Sequence, residues 1–239
     1  MPNLASSSVS QICTIPTSDW TMINKRVGVV LAAAQIQSSI VAYLPSYPTL
    51  LTSCTLWQQS TFTGLITQSQ ALVLYATTAI NNFTTLNQAV KGIDGQGGVV
   101  PDNIKQQTLS LLQKLASDTT SLAAAFDNLS KQVISFLNNN LAVDAQVEKY
   151  KDILGSFWAP VGAYITSLEQ AAGLVTGEWT AITNDLQNIL STQIDVTMPF
   201  LESLNLEAAI VQWKNVQSEA AAFPNMVNGQ QQYWVNPFQ

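Results

Sequence analysis

The sequence predicts an all-α protein: an elongated five-helix up-and-down bundle of long, antiparallel, coiled-coil-like helices. Two heptad seams and one composition bias predict it. The first seam is Leu112, Thr119, Phe126, Val133, Asn140, Val147 and Leu154, accompanied three residues on by Leu115, Leu122, Leu129, Phe136, Val143 and Tyr150. Only Thr119 and Asn140 interrupt its apolar character, and no Gly or Pro falls between Asn103 and Leu154. A two-series heptad of this length marks one long helix buried along a seam. At about 1.5 Å per residue it would run roughly 75–80 Å. The second seam is Ile165, Ala172, Trp179, Leu186 and Gln193 with Leu168, Val175, Ile182, Ile189 and Val196. Charged residues make up only 10% of the 239 residues, against about 25% in an average soluble protein, so Ser, Thr, Asn and Gln fill the polar faces.

The elements follow in order. Residues 1–17 read as an irregular lead. Thr17 or Ser18 caps a first helix over about 19–44, with Asp19 suiting its dipole. Its apolar face is Val30, Leu31, Ala34, Ile40, Val41 and Leu44. Pro45 and Pro48 break it, and Thr49 caps a second helix to about Val90. Leu65, Ser69, Leu72, Ala76, Ala79, Phe83, Leu86 and Val90 recur at steps of three and four along it, widened by Ile66, Val73 and Ile80. Lys91 to Gly98 is a Gly-rich connector, with neither a preceding strand nor the Gly-Lys-Ser/Thr ending of a phosphate loop. The third helix covers about 102–154 and Gly155 ends it. The fourth covers about 157–196. Within it Gly173 and Gly177, flanked by Glu169 and Glu178, read as a step of close packing inside the bundle. A fifth helix over about 200–223 turns Leu206, Ala209, Ile210, Trp213, Val216, Ala220 and Phe223 inward and stops at Pro224. The tail, 225–239, carries Tyr233, Trp234 and Phe238; three such aromatics usually pack back on the body, with a docking site for a partner as the lesser reading. All of this forms one domain.

Several function classes fall away. A net charge of −6 offers no basic face for nucleic acid. The absence of histidine removes His-based nucleophilic catalysis and HExxH zinc sites. Asp94, Asp102, Asp118 and Asp127 are scattered singly, so no carboxylate pair or calcium loop is defended. Cys13 and Cys54 are too few for a metal cage and leave a disulfide or two free thiols open. The chain is therefore read as no enzyme, with no cofactor, no metal and no small-molecule substrate. Asn140 and Gln193, lone amides on the seams, read as devices that fix register.

From Val27 through Val90 there is no charged residue. Either a helical hairpin shelters amide and hydroxyl faces among other helices, or the segment can enter lipid. Val27–Leu44 reaches spanning length but carries Gln35, Gln37, Ser38 and Ser39.

Asp19-Trp20-xxx-Asn24, the Tyr43-Leu-Pro-Ser-Tyr-Pro48 break, and Trp57, Phe62, Leu65, Ser69, Leu72, Tyr75, Ile80 and Phe83 on the second helix carry a resemblance. With the bundle pattern, the chain resembles the α-helical pore-forming toxins of the haemolysin E type. That superfamily includes the haemolysin BL and non-haemolytic enterotoxin components, the xenorhabdolysins and the Vibrio motility-associated killing toxins. The family carries a hydrophobic hairpin that enters the bilayer. Here the equivalent corner, Ile153 to Ile165, cannot hold two membrane spans of about twenty residues each. The resemblance thus implies a component of a multi-subunit cytolysin with a reduced membrane-inserting head, or a non-lytic accessory or chaperone-like protein of the same fold. It implies sister toxin subunits and a target membrane as partners. Candidate contact residues are Val27, Val30, Leu31, Ile40, Val41 and Leu44 on the first helix and Phe157, Trp158 and Tyr164 at the corner. The N-terminus lacks a Sec leader, so the expected location is the bacterial cytoplasm, or outside it by a non-Sec route.

Overall fold

A computed structural model describes residues 4–93, 99–150, 158, 161–191 and 195–238. The protein is all-α, with several long helices and no strand among the described residues. In chain order the helices are α1 (Thr17–Ala32), α2 (Gln37–Val41), α3 (Tyr47–Leu56), α4 (Phe62–Ile93), α5 (Asp102–Val147), α6 (Gly162–Ser191), α7 (Met198–Ser203), α8 (Leu206–Met226) and α9 (Gln232–Val235). The chain divides into two compact units. The first holds Met1–Cys13, Gln68–Phe126 and Leu174–Ala222; the second holds Thr14–Thr67, Asp127–Gly173 and Phe223–Gln239.

The seams are where periodicity puts them. On α5, Leu112, Leu115, Thr119, Leu122, Phe126, Leu129, Val133, Phe136, Asn140, Val143 and Val147 are all buried. On α6, Ile165, Leu168, Ala172, Val175, Trp179, Ile182 and Leu186 are buried, and Ile189 is half-buried. The α4 stripe from Leu65 through Leu86 is buried as well. Because Leu129 sits on the α5 seam, Leu129→Ala is expected to lower stability by about 3 kcal/mol through lost contacts and a residual cavity. Chemical denaturation measures this, and a loss under about 0.5 kcal/mol would mean the seam faces water.

The differences from expectation have local causes. The first helix is not one α-helix to Leu44: α1 ends at Ala32, a 3-10 turn covers Ala33–Ile36, and α2 is one short turn. No residue from Ala33 to Val41 is buried, and most of a helix's stability comes from burying one face. The cap positions also move. Pro16, not Thr17 or Ser18, precedes α1, and its carbonyl accepts from the Asp19 N–H (3.0 Å). Ser46, not Thr49, precedes α3; its N–H donates to Gln146 Oε1 (3.1 Å) and its Oγ accepts from Gln146 Nε2 (2.6 Å). The second helix is interrupted by a π turn at Trp57–Thr61. On an uninterrupted α-helix, residues five apart lie about 140° apart. The wider turn brings Trp57 and Phe62 onto one side, both fully buried, with ring centroids 6.1 Å apart. The fifth helix is split at Asn205, whose φ of 46° is left-handed, a region asparagine tolerates. Pro224 does not stop α8, which runs to Met226 and closes with Val227 N–H donating to the Phe223 carbonyl (3.0 Å). The lead contains a 3-10 segment, Ser7–Thr14, with Val9, Ile12 and Cys13 buried.

Gly173 and Gly177 make no close approach: a Cβ at either would meet nothing within 4 Å. The buried face of α6 runs through Ala172, Val175 and Trp179 instead. The Gly-rich connector at 94–98, the helix end at Leu154 and Gly155, and the seam residue Gln193 lie outside the described residues.

In the first unit, Trp213 and Trp179 stack (5.9 Å, 29°), and Tyr75 meets both rings edge-on. Phe126 stacks on Trp179, and the Trp213 Nε1–H donates to the Leu4 carbonyl (2.9 Å), tying the N-terminal lead down. Burial pushes the Tyr75 phenol well above its ordinary value, so it stays neutral.

Candidate functional site

The second unit carries the chemistry worth attention. α1 turns Trp20, Ile23, Asn24, Arg26, Val27 and Val30 inward. Two polar knots form on that face. In the first, the Asn24 Oδ1 accepts from the indole N–H groups of Trp57 (3.0 Å) and Trp234 (2.8 Å), while its Nδ2 donates to the Trp20 carbonyl (2.9 Å). One amide thereby locks the π turn that follows α3, and the C-terminal segment, onto α1. Around it, Trp20 meets Phe62 and Phe223 edge-on, Trp57 stacks on Phe136 (4.6 Å, 24°), and Phe62 meets Trp234 edge-on.

In the second knot, Arg26 Nη1 donates to Asp144 Oδ1 (2.8 Å) and more weakly to Asn140 Oδ1 (3.4 Å). Asp144 Oδ1 also accepts from the Trp158 Nε1–H (2.6 Å), and the guanidinium lies 3.9 Å from the Trp158 ring centre. The Arg26 side chain is 2% exposed and that of Asp144 21%. Burial pulls the Arg26 guanidinium below its ordinary value and Asp144 pushes it back. Arginine keeps its proton throughout, so the cationic half of the knot is fixed. Asn140, read from sequence as a register device, is one of its anchors, and its Nδ2 donates to the Phe136 carbonyl (2.9 Å).

Beside this knot opens an apolar pocket of about 370 Å³, lined by Val29, Ala32, Ala33, Ile36, Ile40, Leu44, Tyr47, Trp158 and Phe238. The Tyr47 hydroxyl donates to the Val30 carbonyl (2.6 Å), and burial pushes its pKa up to about 12. Ile36 is 58% exposed, Tyr43 56% and Phe238 72%. Tyr43 meets the ring of Tyr150 edge-on (5.5 Å).

The candidate contact residues divide accordingly. Val27, Val30 and Leu44 are buried. Leu31, Ile40, Val41, Trp158 and Tyr164 are half-buried, and Phe157 lies outside the described residues. Ile40, Leu44 and Trp158 come together at the pocket. Sequence reading missed Asn24 as a knot and the pairing of Arg26 with Asp144. One signal existed: Asn140 and Asp144 are four apart, hence on one helix face, and Arg26 is the last charge before the uncharged run.

The tail packs back through Tyr233 and Trp234, while Phe238 is 72% exposed. Gln230 Nε2 donates to Thr21 Oγ1 (3.1 Å), the Lys25 ammonium lies over the Tyr233 ring, and Tyr233 crosses Gly28. A Cβ on Gly28 would overlap the Tyr233 carbonyl oxygen. Gly28→Ala is therefore expected to cost about 1–3 kcal/mol and to speed amide exchange across residues 230–236. Unchanged exchange there would contradict the close approach.

Both cysteines are free and buried. Burial, helped by Glu219, raises the Cys13 thiol from 9.0 to about 12. Burial also raises Cys54, against the pull of Arg26. In the unfolded chain a thiol ionises near 9.0; folded, it keeps its proton. Above that pH the unfolded state binds fewer protons, so stability falls as pH rises from 9.0 toward about 12, and the contribution is complete below 9.0. Cys13→Ala is expected to reduce this alkaline slope by up to about 1.4 kcal/mol per pH unit, measured by urea denaturation from about pH 8 to about pH 10.5. An unchanged slope would contradict the buried thiol.

Among the described residues no group of three His, Cys, Asp or Glu could hold a metal, and no helix is long and apolar enough to cross a membrane. No protein-family model, no curated protein and no solved structure matches the chain.

Proposed function

We propose that this chain is a component of a multi-subunit α-helical cytolysin: an elongated up-and-down bundle that binds sister subunits and a target membrane, with no catalytic step of its own. One observation carries the reading. The uncharged stretch from Ala33 to Tyr43 is weakly helical, has no buried residue, exposes Ile36 and Tyr43, and borders an apolar pocket. A segment with little burial opens at small free-energy cost, and such segments supply the moving parts of switches. The Pro45 and Pro48 break beyond it gives a place to hinge. With no spanning helix among the described residues, the segment would lie in the interface rather than cross it.

That same absence of a spanning helix favours a second reading: a non-lytic accessory or chaperone-like partner of the same fold. Vesicle leakage and haemolysis, measured for this chain alone and with the products of adjacent genes, separate the two. Leakage that needs both this chain and its sisters supports the first. A stable soluble complex with no membrane association supports the second. Association with neither overturns both.

A further inference from the structure

We propose that the apolar pocket of the second unit takes one unbranched acyl chain of a bilayer phospholipid. The proposal rests on the membrane-binding reading above and names what that surface grips.

The walls select for hydrocarbon. Among the described lining residues, Tyr47 and Trp158 bring the only polar side-chain atoms, and both are engaged: the hydroxyl on the Val30 carbonyl, the indole N–H on Asp144. A ligand that needs hydrogen bonds would lose them to water without replacement. The volume, about 370 Å³, lies within the range of ligand pockets. An apolar cavity of about 150 Å³ takes benzene, so this one has room for roughly a dozen carbons. At the mouth, Ile36 and Phe238 are already largely exposed, and covering them adds to the gain. No charged residue lies between Val27 and Val90, so nothing in the wall from Val29 to Tyr47 binds a headgroup. That wall offers no cation to a free fatty-acid carboxylate, and the Arg26 guanidinium beside it is held by Asp144, which leaves a zwitterionic lipid as the source of the chain.

The test uses monoacyl phosphatidylcholines from hexanoyl to hexadecanoyl, each below its micelle-forming concentration, titrated into the full chain. A pocket of fixed volume predicts that affinity rises about fourfold per methylene and levels off near roughly a dozen carbons. Ala33→Phe, which fills the pocket, is expected to weaken binding at least about tenfold. Ile36→Asn alters an exposed residue, leaves the fold intact by circular dichroism, and weakens binding several-fold. Affinity that climbs without levelling, or that both variants leave unchanged, overturns the pocket. For the source, vesicles of acyl-brominated phosphatidylcholine should quench the wild-type emission more than that of Trp158→Phe. Equal quenching, or none, overturns the bilayer lipid. Leakage with sister subunits that persists at wild-type level in Ala33→Phe also overturns the pocket, and leaves the cytolysin reading standing.

Discussion

Asp144→Ala is expected to lower stability by about 3–5 kcal/mol. The substitution removes the carboxylate that Arg26 and Trp158 share, and with it the 2.8 Å ion pair of a guanidinium whose side chain is 2% exposed. Arginine cannot shed its proton to escape. The effect is asymmetric. Arg26→Met leaves Asp144, 21% exposed, with access to water, and is expected to cost less. The double change Arg26→Met with Asp144→Leu removes both charges and is expected to recover most of the loss, since the desolvation penalty goes with them. Denaturation of the three variants closes the cycle. Equal losses for both single changes, with no recovery in the double, would mean that the pair is not the buried element described here.

Trp57→Ala is expected to cost about 5 kcal/mol, at the upper end for a buried aromatic. The ring is fully buried, stacks on Phe136, touches Trp20 and Phe62, and donates to Asn24. Its loss opens a large cavity beside the π turn. Trp57→Phe keeps most of the volume, and Asn24 Oδ1 keeps Trp234 as a donor, so its cost is expected to be about 1–2 kcal/mol. If Trp57→Ala cost no more than Trp57→Phe, the cluster around Asn24 would not be holding the π turn to α1.

Helical periodicity made the long helices legible. The buried positions of α5 and α6 follow a strict repeat over many turns, and tertiary packing reinforces the pattern at each turn. The breaks were not legible, because they are small departures in backbone geometry without a change in hydropathy. The 3-10 turn at Ala33–Ile36 carries residues that suit an α-helix and differs only in lacking buried partners. The π turn adds one residue to the repeat between Trp57 and Phe62, which a stripe counted from Leu65 does not register. Asn205 takes a left-handed φ that asparagine permits but does not require. The Gly173 and Gly177 step shows the opposite error, since motif spacing says nothing about which face packs. The candidate site was partly legible. Uncharged composition marked Val27–Val90, a stretch that contains Ala33–Tyr43 without singling it out, and Trp158 stood out at the corner. The partners that anchor them are distant in sequence: Arg26 with Asp144, and Asn24 with Trp57 and Trp234. Only folding brings these stretches together.

The membrane-facing role proposed for Ala33–Tyr43 is tested most directly at Ile36. Cys13 and Cys54 are buried, so a thiol introduced by Ile36→Cys can be labelled selectively with an environment-sensitive fluorophore. With phosphatidylcholine vesicles and the products of adjacent genes added, emission from position 36 is expected to shift to the blue and brighten as the probe enters the bilayer interface. Emission that stays at its aqueous value, while the same mixture leaks its vesicles, would contradict the account.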